Sequence, residues 1–532
     1  MVGPPSVGPE INIDSILALG KRVEEGAENV IQLKRARNSL LNISARVPPE
    51  ILGYIFRWNV IPEGEFDGLE KGSYNFLLVC HHWFQVASST PELWAFWGNT
   101  LKQWSQRYRR SGTAPLDLVL DGSYHMNEMN AIPFDGPLRD ALRDRAASDS
   151  IRSVHLKGPD ADFLRSILSS LTLDGGGVRC SSIESLILEF HGINISDFLA
   201  CYRFPKLRNL RLFTRAWTSS WNHLKLQATS LTTLSLEFGR TPSNPTTSNL
   251  LSILVSYPNL QVLSLDEVVS RDVGDEYKFR VSLRRLKKLH LRGDCRRVFR
   301  LLDRLESPDT LDNVDLDLLD CATEGISEFL ASYLQDRTRR DHRFQGRVLI
   351  YFCSEPRFIS FNIDVVDEFN IPIMPPGLGR PSISFGAVFR DPLPQDARER
   401  KCVNLIASTP REHVVGLTGW LSTHTTRDLI VTMPNLEYLY LVGSVVSDMF
   451  LQPDPPSLRK FLPSLRILCL GCFTLQNDDD WGPLINYLAH QTSGGQAISL
   501  RLYAEPGPIP PEVVKRIEDL VEEFSLGFPS AK

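Results

Sequence analysis

One short string recurs along most of this chain and limits what it can become. It consists of an apolar residue, two residues of any kind, an apolar residue, one of any kind, and leucine. It reads IESLIL from Ile183, LRNLRL from Leu207, LTTLSL from Leu231, LQVLSL from Leu260, LKKLHL from Leu286 and LDNVDL from Leu311. It returns as LEYLYL from Leu436 and LRILCL from Leu465, with terminal versions in IRSVHL from Ile151 and AISLRL from Ala497. Counted at the final leucine, Leu188, Leu212, Leu236, Leu265, Leu291 and Leu316 lie 24 to 29 residues apart. In a strand, alternate residues face opposite sides, so the paired leucines point inward and the residues between them point out. One such unit cannot bury its apolar face alone, so neighbours must stack. Between the strings lie apolar segments such as ISDFLACYRFP, NLLSILVSYPN and RRVFRLLDRLESP, which read as short helices stopped near Pro205, Pro258 and Pro308.

String and spacing resemble the leucine-rich repeats, whose period is about 20 to 29 residues. The resemblance implies an α/β repeat fold, a solenoid of stacked strand–helix units curved into a horseshoe. Where that family carries an Asn or Cys ladder, this chain has His191, Arg215, Gly239, Val268, Asp294, Ser444 and Phe473. An irregular curve is therefore expected. An ordinary α/β domain with leucine-rich strands is the other reading of the same string. The stretch 336–432 fits least well. RVLIYF, FISFNI and SISFGAVF are strand-like, but IPIMPPGLGRP and DPLPQDARER interrupt them. This predicts degenerate repeats carrying loop insertions. After Pro511, the apolar residues Val513 or Val514, Ile517, Leu520, Val521 and Phe524 share one helical face, which predicts an amphipathic helix capping the last repeat.

A second pattern precedes the repeats. Pro48 and Pro49 suit a first helical turn, Glu50 favours its dipole, and Ile51, Leu52, Ile55 and Phe56 follow at helical spacing. A polar loop, Pro62 to Ser73, leads to a second helical run through Trp83, broken at Ser89-Thr90-Pro91. The blocks Val47-Pro48-Pro49-Glu50-Ile51-Leu52, Ile55-Phe56, Leu77, Val79-Cys80, Trp83, Pro91 and Leu93-Trp94 resemble an F-box, of the kind seen in fungal F-box-like proteins. That resemblance covers about a tenth of the chain. It implies docking to a Skp-type adaptor and, through it, to a cullin–RING ubiquitin ligase. The alternative is a helical hairpin inside a larger fold. Before it, Ile16, Leu19, Val23, Val30 and Leu33 predict a lead-in helix that packs or stays mobile, after a Pro/Gly-rich, disordered start. After it, Trp97, Leu101, Trp104 and Tyr108 predict a linking helix.

Composition narrows the function classes. A net charge of -5 over 532 residues argues against a general nucleic-acid binder. Nine scattered cysteines do not make a secreted disulfide framework. No segment approaches the roughly twenty apolar residues that cross a bilayer. Neither a signal peptide nor a myristoylation glycine opens the chain. The expected compartment is cytosol or nucleus. Cys80-His81-His82 and Cys469 with Cys472 fall short of a zinc set. Nucleophile-elbow, phosphate-loop and metalloprotease motifs are absent from the sequence. Gly175-Gly176-Gly177 reads as a loop and Asp478-Asp479-Asp480 as a solvated turn or cap. Nine Arg and Lys between Arg280 and Arg300 would hold a phosphate or an acidic peptide, or form a solvated helix edge; the latter is preferred.

The combined expectation is a non-catalytic substrate adaptor without cofactor or metal, with no nucleic-acid or membrane partner. Its divisions are 1–42 (disordered start and lead-in helix), 43–110 (F-box and linker), 111–505 (repeats) and 506–532 (capping helix). Adaptor contact is assigned to Val47, Pro48, Pro49, Glu50, Ile51, Leu52, Ile55, Phe56, Val79, Cys80, Trp83, Leu93 and Trp94. An unidentified protein substrate would meet the outward strand residues. These are Arg211, Phe213, Glu237, Asp266, Lys288, His290, Arg292, Asp315, Asp317, Tyr438, Tyr440, Arg501 and Tyr503. An F-box scaffold that does not direct ubiquitination is the alternative function.

Overall fold

In the computed structural model the chain forms two compact units. One is Met1–Gly158 with Asp162–Gly176, the other Pro159–Ala161 with Gly177–Lys532. The structure describes residues 21–22, 25–26, 28–34, 47–60, 75–97, 104–121, 137–147, 149–158, 167, 178–179, 181–190, 199, 202–214, 224–226, 228–238, 245–268, 280–306, 311–321, 326–340, 348–355, 358–365, 382–389, 392–419, 422–442, 462–471, 481–495, 497–503 and 509–526. The Pro/Gly-rich start, most of the lead-in helix, Leu101, Gly175–Gly177, the insertion at 371–381, Cys472 and Asp478–Asp480 lie outside the described residues. So do the ladder positions His191, Arg215, Gly239, Ser444 and Phe473.

In the first unit, helix α1 (Pro49–Val60) begins on the proline pair, with Glu50 in its first turn and Arg57 in its last. A 3-10 turn (Asn75–Leu78), α2 (His81–Ser88) and α3 (Pro91–Trp94) follow. Their core is Leu52, Phe56, Phe76, Val86, Ala87, Leu93 and Trp94, with Val47, Leu77 and Trp83 packed on its rim. Phe56 stacks on Phe76 at 4.5 Å, and the Trp94 indole N–H donates to the Ala87 carbonyl at 2.7 Å. Such rings and bonds let a cluster this small hold together, since few other apolar groups are available to it. Among residues 28–34, which are helical, Val30, Ile31 and Leu33 are exposed, so these three side chains of the lead-in helix are not packed.

The chain then enters strand β1 (Phe96–Trp97), helix α4 (Trp104–Ser111), β2 (Leu116–Asp121), α5 (Pro137–Ala147) and β3 (Ile151–Gly158). β1, β2 and β3 pair in parallel. The linking helix is thus shorter than its apolar spacing predicts, because Phe96 and Trp97 are both buried and both extended. The unit accordingly continues beyond residue 110. Two buried guanidinium groups tie its connections down. Arg107 donates to the Phe96 carbonyl at 3.0 Å, and Arg145 to Ser111 Oγ at 2.5 Å. Their burial is tolerable because these oxygens replace water.

The second unit is built on the recurring string. In chain order it opens with β4 (Val178–Arg179), β5 (Ser185–Phe190), β6 (Tyr202–Arg203), β7 (Asn209–Thr214), β8 (Thr233–Phe238), α6 (Thr247–Leu254) and β9 (Val262–Asp266). β10 (Val281–Ser282), β11 (Lys288–Asp294), α7 (Cys295–Arg304), β12 (Leu305–Glu306), β13 (Asn313–Cys321) and α8 (Ile326–Arg340) continue it. β5, β7, β8, β9, β11 and β13 lie side by side in parallel. The register sets string against string. Leu186, Leu210, Leu234, Leu263, Leu289 and Val314 form one inward row, and Leu188 through Leu316 a second, all at 2% exposure or less. Each such side chain gains about 1.5–3 kcal/mol by leaving water. A slip of one residue would turn both rows outward, so register is strongly specified.

The entry to each strand repeats as well. One carbonyl of each repeat accepts two N–H groups of the next: Arg208 from Thr232 and Thr233, Thr232 from Gln261 and Val262, Gln261 from Lys287 and Lys288. Just before the string stands a buried residue, often followed by proline: Phe204-Pro205, Tyr257-Pro258, Met433-Pro434, Leu462-Pro463. The residue after that proline, or its equivalent, bonds back to the preceding repeat. Ser230 donates to the Pro205 carbonyl, Asn259 to that of Thr229 at 2.8 Å, and Ser464 to that of Pro434 at 3.2 Å. A polar ladder therefore runs along the strand entries among the described residues.

The stretch 336–432 departs from the pattern in a defined way. β14 (Val348–Glu355), β15 (Phe358–Val365), β16 (Ser382–Phe389), α9 (Gln395–Ala407), β17 (Val414–Gly419) and α10 (Thr423–Val431) follow α8. The spatial order is β13, β16, β15, β14, β17, with β15 the antiparallel strand. The chain skips two places in the sheet and returns to fill them. Glu399 on α9 accepts from Ser422 N–H (3.0 Å), Ser422 Oγ (2.6 Å), Thr425 Oγ1 (2.6 Å) and Gln395 Nε2 (2.9 Å). It thereby pins the start of α10. β18 (Tyr438–Val442), β19 (Ile467–Gly471), α11 (Gly482–Ser493), β20 (Ser499–Tyr503), α12 (Pro511–Glu518) and β21 (Glu523–Leu526) close the unit, with parallel pairing from β17 to β21. The expected capping helix is shorter than its apolar stripe, ending at Glu518 where the stripe runs on to Phe524. Val513 and Ile517 are buried, but the chain leaves the helix after Glu518 and pairs as β21, putting Phe524 in register with Leu500. That strand covers an otherwise open edge.

Candidate functional site

Two surfaces gather the residues singled out in the sequence. The first lies on the helices of the first unit. Leu52 and Phe56 turn one side of α1 into the core, and on the other Ile51, Tyr54, Ile55 and Trp58 stand at helical spacing with 52%, 59%, 43% and 60% exposure. Tyr54 and Trp58 touch edge to face, 6.1 Å apart. Leu78 and Val79 in the following turn, and Phe84 on α2, are exposed too. Helix α1 is thus apolar on both sides, and the core of Leu52 and Phe56 accounts for one of them. Exposed apolar side chains grouped this way mark an interaction surface.

The residues matched to the F-box pattern therefore fall into different roles. Pro48, Pro49, Glu50, Ile51, Ile55 and Val79 are exposed, and Cys80 half-exposed. Leu52, Phe56, Leu93 and Trp94 are core, and Val47 and Trp83 pack on its rim. Direct adaptor contact by Leu52, Phe56, Leu93 and Trp94 is thus corrected to internal packing, because side chains at 1–2% exposure meet nothing from outside. Cys80 Sγ accepts from Trp83 N–H at 3.5 Å as the N-cap of α2, which is a structural role. Among the described residues no three His, Cys, Asp or Glu side chains come together as metal ligands.

The second surface is the outward face of the strands from β7 to β13. Register places Arg211, Ser235, Ser264, His290 and Asp315 in one row, and Phe213, Glu237, Asp266, Arg292 and Asp317 in the next. Lys288 is exposed in the row below, between Val262 and Asn313. Arg292 reaches Asp266 at 3.2 Å and Asp317 at 3.7 Å, and His290 Nδ1 lies 2.8 Å from Asp315 Oδ2. The bond to Asp315, opposed by burial and aided by the charges of Asp315, Asp266 and Asp317, holds His290 above its ordinary value of 6.5. Burial pushes the Asp266 carboxyl up, against the pull of Arg292. Pairs this exposed contribute about 0–1 kcal/mol each. They order the face more than they stabilise the fold.

Beyond the inserted strands the same face changes character. Tyr438 is buried at 8%, Cys469 at 1% and Val415 at 4%, and with Tyr440 and Ile467 they form a small separate core. Tyr440 lies across Gly471, where a Cβ would stand 2.9 Å from Cε2 of its ring. The Arg501 side chain is 12% exposed and 3.7 Å from Glu523. Burial pushes the Cys469 thiol up to about 11, so it is no thiolate. The expectation that Tyr438 faces water as a binding anchor is therefore corrected to core packing, and Tyr440 and Arg501 are half-buried. Alternation assigns a side of the sheet, but not what covers that side. The Tyr503 side chain lies outside the described residues.

The sequence reading missed the exposed pair Tyr54 and Trp58, whose spacing from Ile51 was there to be seen. It also missed the entry ladder through Ser230, Asn259 and Ser464, signalled for the last two by the dipeptides Pro-Asn and Pro-Ser before leucine. Compared with the known protein families and with curated proteins, the chain matches none.

Proposed function

We propose that the first unit is an F-box that docks a Skp-type adaptor. In this reading the second unit is a solenoid of divergent leucine-rich repeats, a horseshoe interrupted by the β14–β16 insertion, that holds a protein substrate. Ubiquitin transfer is then carried out by a cullin–RING core, and this chain supplies no acid, base or nucleophile. Its contribution is to raise the local concentration of substrate lysines.

The observation that carries the reading is helix α1 with two apolar sides. The motif residues that an F-box needs for its own core are buried, and the motif residues Ile51, Ile55 and Val79 are left exposed. A helical hairpin serving only as a lid for a larger fold would not expose them together with Tyr54 and Trp58.

The test is co-purification from cells. Ile51→Asp with Ile55→Asp places charges on the outer side of α1 without touching Leu52 or Phe56. Loss of a Skp-type adaptor with an unchanged melting profile is expected. Undiminished adaptor capture by a folded double variant would sink the F-box assignment. Adaptor without cullin would instead favour a scaffold that does not direct ubiquitination.

A further inference from the structure

The segment from Arg280 to Glu306 carries ten Lys and Arg against three carboxylates, in a chain whose net charge is -5. Arg280 stands just before β10, Arg284, Arg285 and Lys287 lie in the turn between β10 and β11, and Arg296 and Arg300 lie on the outer side of α7. All six are exposed, and among the described residues none has an ion pair or side-chain hydrogen bond. Two of the three carboxylates are already engaged. Asp294 caps α7 and lies 3.8 Å from Arg297, and Asp303 lies 3.6 Å from Arg304. This contrasts with the neighbouring sheet face, where Arg292 finds two carboxylates.

The two groups of cations adjoin. Helix α7 buries Cys295, Val298, Leu301 and Leu302, which turns Arg296 and Arg300 outward one helical turn apart. It ends in β12, and β12 runs parallel beside β10, so the helix end at Arg304 stands beside Arg280, and the turn that holds Arg284 and Arg285 follows at the far end of that two-residue pairing. From Arg296 to the helix end is about 12 Å. The charges are spread along an edge and do not converge on a point.

We infer that this edge is a docking surface for an acidic protein segment carrying a run of Asp and Glu. Spread cations match carboxylates repeated along an extended chain, whereas a single phosphate calls for convergent donors. Single-stranded nucleic acid calls for aromatic faces on which bases stack. Between 280 and 306 no large apolar side chain is exposed, and Phe299 is stacked on Phe329 of α8 at 4.0 Å. The same lack removes any apolar wedge for a lipid surface. The surface is independent of adaptor docking by α1.

The test uses the full-length protein and a labelled decaglutamate peptide, followed by fluorescence anisotropy at stepped salt. Binding that weakens as salt rises is expected. Arg284→Glu with Arg285→Glu, and Arg296→Glu with Arg300→Glu, should each lower affinity at least about tenfold, because a rejected charge adds to each one lost. Lys515→Glu, an exposed cation on α12, should stay within about twofold. Arg284→Ala with Arg285→Ala gives a milder loss should the reversals disturb folding. Reversal variants that bind decaglutamate as the native chain does would overturn the proposal. So would a single-phosphoserine peptide, a DNA duplex or phosphatidylserine vesicles that bind tenfold more tightly than decaglutamate.

Discussion

Truncating Phe56 to alanine separates the two sides of α1 in one measurement. The ring is 1% exposed, stacked on Phe76 at 4.5 Å and tilted against Trp83 at 5.1 Å. Removing it deletes the apolar contact and leaves a cavity that the surrounding backbone only partly closes, which costs about 3–5 kcal/mol. At about 1.4 kcal/mol per tenfold, the opened population of these helices rises by roughly two to three and a half powers of ten. Ile51→Ala, at a position 52% exposed, should stay within about 0.5 kcal/mol. Hydrogen exchange of the full-length protein reads both, in peptides covering 49–60 and 81–94, with peptides from β7 and β8 as the internal reference. Exchange in Phe56→Ala within threefold of the native rate would refute the placement of Phe56 in the core. So would an Ile51→Ala variant that opens as readily as Phe56→Ala.

Three further outcomes are expected. Tyr257→Phe should cost about 1–3 kcal/mol and speed exchange at Leu226, because the buried hydroxyl donates to the Leu224 carbonyl and accepts from Leu226 N–H at 3.0 Å. Exchange at Leu226 unaffected by the change would count against it. Glu399 is pushed up by burial, but its four hydrogen bonds outweigh that and hold it below its ordinary 4.5. A depressed carboxyl stabilises fully above its unfolded value and loses that contribution as pH falls through the folded one. Protection at the start of α10 should therefore fall below about pH 4.5, and Glu399→Gln should flatten that dependence; a pH profile shared by both forms would contradict the bond set. His290 should titrate above 6.5 in an NMR experiment, with the bond to Asp315 present at low pH and lost as pH rises through the raised value. Asp315→Asn should bring the midpoint down, and an unmoved midpoint would show that Asp315 is not the cause.

The recurring string was sufficient to place its own leucines. A period-2 pattern is local, so Leu210, Leu234 and Leu263 could be assigned inward and Arg211, Ser235 and Ser264 outward before any neighbour was known. The parallel stacking followed, because such a strand has no other way to bury its row. The Pro-Pro-Glu start of α1 and the i, i+4 pair Leu52 and Phe56 were legible for the same reason. RRVFRLLDRLESP reads as a short helix before Pro308, and it is one, α7, which buries Val298, Leu301 and Leu302.

What the pattern alone left open is whatever depends on a second body. Ile51 and Leu52 are both apolar and adjacent, and only the packing of α2 and α3 made one core and the other surface. Tyr440 and Arg211 occupy equivalent outward positions, yet one lies over Gly471 beside a small core and the other is exposed. RVLIYF, FISFNI and SISFGAVF read as strands and are strands, but the order β16, β15, β14 rests on which edges remained to be paired. Phe524 continued a helical stripe on paper, and became a strand residue because the edge of β20 offered hydrogen bonds that the helix end did not. Periodicity states which face of an element is apolar; the tertiary structure decides what that face meets, because contact depends on residues far away in the chain.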